Sequence, residues 1–221
     1  MQSRKSLSVV SSLLYSGYSD NNTNEKKKKM AAGTSSFRKT AQATSHQQQQ
    51  QKQKHQKNDI SRTQLLNDGN VIPTLGLGTW KSNPPEECTL AITSALRNGL
   101  THLDCASAYA NEHVIGKCLS KVFGDEDTSR EDVFITSKLW NDRRKPDDVR
   151  EALEQTLEDL QLEYIDLYLI HWPVCWKRGT VLVDDTETSI EECWKTMEQL
   201  KREGKVKSIG VSNFNQEQLT K

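Results

Sequence analysis

The stretch DVFITSKLWNDRRKPDDVREALEQTLEDLQLEYIDLYLIHW, residues 132–172, decides the fold. It opens on Phe134, Ile135 and Thr136, a short run of β-forming residues that ends on Lys138. Pro146 then starts a segment with acids in its first turn and Val149, Leu153, Leu157 and Leu160 at helical spacing. IDLYLIHW, residues 165–172, is apolar on both faces. Two continuously apolar strands separated by an amphipathic helix make the repeating unit of a parallel sheet covered by helices.

The alternation continues on both sides. Upstream, Pro84 and Pro85 stand where a helix can start, residues 88–97 are helical in period, and Gly99 is placed to end them. THLDCA (101–106) reads as a buried strand, and NEHVIGKCLSKVF (111–123) as a helix running to Gly124. Residues 75–80 are expected to form the first strand of the sheet. They follow a hairpin in which residues 64–66 and 71–73 flank the Asp68-Gly69 turn signal. Downstream, a loop over 173–188 leads to the helical segment SIEECWKTMEQLKREGK, opened by Ser189 and Glu192 at capping-box spacing. VKSIGVSNF (206–214) is the fifth strand.

Two architectures carry such a pattern, an open doubly wound sheet and a (β/α)8 barrel. No G-x-G-x-x-G follows the first strand, because GLGTW leads into a loop with two prolines, and this weighs against the open dinucleotide-binding sheet. The expected fold class is α/β with both architectures still open; as a (β/α)8 TIM barrel the chain would carry five of the eight strands and four of the helices.

The formal net charge of zero hides two unlike parts. Residues 1–60 hold eleven Lys and Arg against three acids, and the remainder is acidic by the same margin. EKKKKM and HQQQQQKQKHQK, with very few large apolar residues near them, cannot bury enough surface to offset chain entropy. Residues 1–60 are thus expected to be a disordered basic, Ser- and Gln-rich tail ahead of a folded unit over 61–221. The tail has no aromatic interleaving, so no nucleic-acid partner is expected. Its first nineteen residues contain Arg4, Lys5, many serines and no acid, the pattern of an organelle transit peptide or of a short signal peptide. A cytoplasmic location is expected, with organelle import as the alternative. No stretch approaches the roughly 20 apolar residues of a membrane helix, so no membrane partner is expected. The five cysteines show neither C-x-x-C nor zinc spacing, which fits a reducing compartment and no metal.

Four ionisable residues fall at corresponding places in successive units. Asp104 ends the second strand, Tyr109 lies in the loop after it, Lys138 ends the third strand and His171 ends the fourth. Each alone has an ordinary reading: a solvated lysine tip, a turn histidine, an amphipathic tyrosine. In a parallel barrel, however, all C-terminal strand ends share one rim, which brings the four together. The chemistry that fits is proton donation to a carbonyl during hydride transfer. A tyrosine is a weak acid, with an ordinary pKa near 10. A neighbouring ammonium favours its phenolate, and a carboxylate keeps that ammonium charged and oriented. His171 could orient the carbonyl by hydrogen bonding.

GLTHLDCASAYANEHVIG, VFITSKLW, DLYLIHWP and IGVSNF together resemble the successive signatures of the aldo-keto reductases, over residues from about 63 to the end. The resemblance implies an NADPH-dependent barrel that reduces an aldehyde or ketone to an alcohol. It makes Tyr109 the proton donor and Asp104, Lys138 and His171 the rest of a tetrad. It also places Thr79, Trp80 and Asp104 at the nicotinamide riboside, Ser212 and Asn213 at the carboxamide, and Trp80 and Trp172 on the walls of the substrate pocket, with Tyr109 and His171 reaching the substrate. The partner implied is a small-molecule carbonyl compound, with sugars, sugar phosphates, short aldehydes and ketones all open. Because three βα units of the family's barrel are missing, the chain is expected to be a fragment or a truncated product, self-associating in that form and monomeric if the barrel is complete. The rival reading is an inactive half-barrel that serves as an interaction or regulatory module.

Overall fold

In this computed structural model the described residues are 62–124 and 128–220. The expected disordered tail and targeting segment, residues 1–60, lie outside them. The hairpin comes first: β1 (Thr63–Leu65) pairs antiparallel with β2 (Val71–Pro73), Thr63 opposite Pro73. Gly69 turns the chain between them at φ 88°, a left-handed conformation that a residue without Cβ adopts at no steric cost.

The main sheet has five strands: β3 (Leu77–Gly78), β4 (His102–Asp104), β5 (Phe134–Leu139), β6 (Ile165–Ile170) and β7 (Val206–Val211). Each pairs parallel with the next, in chain order β3-β4-β5-β6-β7. A doubly wound sheet reverses its order at a switch point. The order here advances in one direction only, as in a (β/α)8 barrel, of which these strands form a part. The first strand is shorter than residues 75–80 would allow. Beyond Gly78 only the Thr79 N–H to Asp104 carbonyl bond extends the pairing, and Lys81, at φ 58°, turns the chain away.

Helices α1 (Pro85–Arg97), α2 (Glu112–Val122), α3 (Pro146–Leu160) and α4 (Ile190–Arg202) follow β3, β4, β5 and β6, and the short α5 (Gln216–Leu219) follows β7. Proline occupies the first helical position of α1 and α3, where its missing N–H costs nothing. Ser189 Oγ accepts the Glu192 N–H at the start of α4, so half of the anticipated capping box forms. One core runs between the helices and the strands, with Ile92, Leu103, Ile135, Leu153, Tyr168 and Met197 all fully or almost fully buried. Four cysteines are buried in it, and Cys175 is half-buried; all five are free thiols.

Candidate active site

The C-terminal ends of β4, β5 and β6 deliver Asp104, Lys138 and His171 to one rim, and the turn at Ser107–Tyr109 after β4 delivers Tyr109. Lys138 is the hub. Its Nζ donates to Asp104 Oδ1 at 2.6 Å, to the Cys105 carbonyl at 2.8 Å and to the Tyr109 hydroxyl at 3.3 Å. At 5% exposure it is no solvated tip. A buried ammonium is tolerated only when paired and hydrogen-bonded, and these three oxygens satisfy its three N–H groups. Lys138 Nζ also lies 5.0 Å from the centre of the Tyr109 ring.

His171 completes the group. Its ring stands edge-on to Tyr109, with centroids 5.8 Å apart, and is stacked with Trp172 at 6.3 Å. Burial and the nearby Lys138 cation lower its pKa to about 4, so the imidazole is neutral at physiological pH. Its Nδ1 is buried and finds no hydrogen-bond partner.

The remaining expected site residues take several positions. Thr79 is buried, its hydroxyl donating to the Asp104 carbonyl at 3.0 Å. Ser212 and Asn213 follow β7, and Asn213 Nδ2 donates to the His171 carbonyl at 2.9 Å and to Ser212 Oγ at 3.1 Å. Asn213 adopts φ 63°, which asparagine tolerates better than most residues. Trp80, next to Thr79, is 66% exposed, with the Lys81 ammonium 4.6 Å from its ring. Trp172 is also exposed.

Trp140 and Asn111 belong to the site although residue-type reasoning passed over them. Trp140 packs edge-on against His171 at 5.0 Å and against Trp176 at 5.6 Å. A signal for it exists: Lys138-Leu139-Trp140 and His171-Trp172 each put a tryptophan just past a polar strand end. Asn111 is buried and donates from Nδ2 to the Thr79 carbonyl at 2.8 Å, tying the Tyr109 loop to the turn after β3.

The donors at this rim fit the nicotinamide end of a dinucleotide. The Asp104 side chain is 37% exposed while bonded to Lys138, so a ribose hydroxyl can reach it. Ser212 and Asn213, just after β7, present hydroxyl and amide groups beside the end of the neighbouring β6, three strands from Asp104.

Residues 74–221 match the Aldo/keto reductase family. The chain is 46% identical over 165 residues to Aldo-keto reductase family 1 member A1 of Xenopus tropicalis, covering 71% of this chain and 50% of that protein. The solved aldose reductase of Schistosoma japonicum superposes with a TM-score of 0.68 at 47% identity, covering 72% of this chain and 55% of that one. A Bombyx mori aldo-keto reductase solved in complex with NADP gives a TM-score of 0.68 at 38% identity, over 72% of this chain and 53% of that one. The chain spans about half the length of the curated relatives it matches.

Proposed function

The chain belongs to the aldo/keto reductase family, and from that premise we propose that it is an oxidoreductase reducing an aldehyde or ketone to an alcohol with NADPH, Tyr109 supplying the proton. The observation that carries the reading is the Lys138 ammonium held between the Asp104 carboxylate and the Tyr109 hydroxyl.

When bound, the nicotinamide supplies a hydride to the carbonyl carbon. The developing negative charge on the carbonyl oxygen is what the protein's own groups must meet. Tyr109 donates its hydroxyl proton to that oxygen, and Lys138, 3.3 Å away, stabilises the phenolate left behind. Asp104 holds Lys138 charged and aimed. An orphaned N–H is rarer in buried sites than an orphaned acceptor, so the unpartnered Nδ1 of His171 is assigned the lone pair and Nε2 the proton. A neutral imidazole with Nε2–H can donate to the carbonyl oxygen and fix its direction without competing with Tyr109 as an acid. Asp104, Ser212 and Asn213 would hold the ribose and carboxamide of the cofactor, with Thr79 and Trp80 beside them. Trp172, and Trp140 with it, would form apolar walls for the substrate. NADP in the Bombyx mori relative supports a nicotinamide cofactor for this site.

The test is consumption of NADPH by the purified chain with a panel of small aldehydes, alongside the K138M variant. Lys138→Met keeps the stem and removes the charge, and turnover should fall by about 10²- to 10⁴-fold. Undiminished turnover in K138M would remove Lys138 from the mechanism.

A further inference from the structure

Ser137 and Lys138 are neighbours on β5, and the strand pleat sends their side chains to opposite faces. Lys138 enters the site. Ser137, fully buried, turns away from it, and its Oγ donates to Glu112 Oε1 at 2.6 Å. Glu112 is 3% exposed and opens α2, three residues after Tyr109. The helix dipole favours a carboxylate at that position. Its other oxygen accepts from Thr156 Oγ1 on α3 at 3.2 Å. A second clasp joins the same two segments: Ser107 Oγ donates to the Lys138 carbonyl at 3.1 Å.

The segment 107–112 is therefore pinned to β5 at two adjacent residues, 137 and 138, with Tyr109 lying between the pins. A buried carboxylate is a costly way to fill a core. A site whose reacting groups must be held within a fraction of an ångström gives it a use, because supporting hydrogen bonds lock what packing alone leaves loose.

We propose that Glu112 is a positioning residue for the reaction: by holding Ser137 against the start of α2, it keeps the Tyr109 hydroxyl within hydrogen-bond distance of Lys138. The proposal rests on the carbonyl reduction described above, and its test separates the two. In the full chain, isotope labelling of tyrosine and lysine reports the nuclear Overhauser contact between the Tyr109 ring and the Lys138 side chain, with Y109F identifying the signal. The contact should weaken in E112A and in S137A, which removes the same hydrogen bond by a smaller deletion should E112A fail to fold. It should persist in E112Q, whose amide oxygen still accepts from Ser137. It should also persist in T156A, which cuts only the link to α3. Turnover should follow the contact, falling about 10- to 100-fold in E112A and S137A with KM within a few-fold of wild type. An unchanged contact in both E112A and S137A, or equal loss in T156A, would overturn the positioning role. If the chain reduces no carbonyl compound, the functional reading fails while the contact still decides whether Glu112 sets the geometry.

Discussion

Lys138 and Glu112 mark the two ends of what a residue's sequence position reveals. Lys138 was legible because it closes an apolar run at a strand end, at the same step of its unit as Asp104 and His171, and barrel geometry does the rest. Glu112 was not, because an acid at a helix start is ordinary and its partners Ser137 and Thr156 lie 25 and 44 residues away. Its environment makes it testable by pH. Burial, with Asp159 nearby, pushes Glu112 up to about 7 against the opposing hydrogen bonds of Ser137 and Thr156 and the charge of Lys138. Cys105 and Tyr168, both uncharged at neutral pH, also face it. The folded state thus binds this proton more tightly than the unfolded chain. The stability it lends is complete below about 4.5 and is lost as pH rises through about 7. His171 runs the other way: its contribution is complete above its ordinary 6.5 and is lost as pH falls towards about 4. Between these limits the two slopes oppose. The wild-type urea midpoint should therefore change less between pH 4.5 and 6.5 than that of E112Q, which cannot titrate and should gain stability as pH rises over this window. Parallel pH curves for the two proteins would contradict the assignment.

Among the elements, α2 comes close to the backbone of α3 at Gly116. A Cβ there would stand 2.1 Å from the Asp159 carbonyl oxygen and 2.7 Å from the Leu160 carbonyl carbon, both backbone atoms that cannot swing aside. Gly116→Ala should destabilise the protein by about 3 kcal/mol or more, because the helices must separate. At Gly124, where the nearest atom would be 3.4 Å away, the same change should cost far less. Chemical denaturation of the two variants checks this, and equal losses would contradict the close crossing. Nothing in NEHVIGKCL distinguishes Gly116 from a helix glycine placed by chance. The strands β5 and β6 were readable because neighbours pair with them on both sides and both faces are covered. In β3 the reading overshot: its sequence suits a strand of six residues, but pairing on one side with the short β4 sustains only two.

Across the whole molecule, the hairpin sits at the N-terminal end of β7, on the side of the sheet away from the site. Asn70 Nδ2 donates to the Lys207 carbonyl at 3.0 Å and to Ser208 Oγ at 2.9 Å, and Lys201 pairs with Asp68 at 2.6 Å. These contacts join residues more than 130 positions apart, which local pattern cannot show, although the Asp68-Gly69 turn itself was plain. Asn70→Ala should lower stability by about 1–2 kcal/mol. It should leave turnover of the folded protein unchanged, since the hairpin touches none of the tetrad. A loss of activity at full folding would mean that this end of the sheet communicates with the rim.

The proposed transfer of a proton from Tyr109 to a carbonyl oxygen beside a bound nicotinamide can be tested on the alcohol itself. The most direct measurement is the mass of the alcohol formed from a small aldehyde and NADPH deuterated at the transferable position, with wild-type chain and with Y109F. Wild type should give one deuterium per alcohol. Y109F should form the alcohol at least about 10²-fold more slowly, with NADPH binding retained. Alcohol formed equally fast by Y109F, or formed without deuterium, would contradict the proposal.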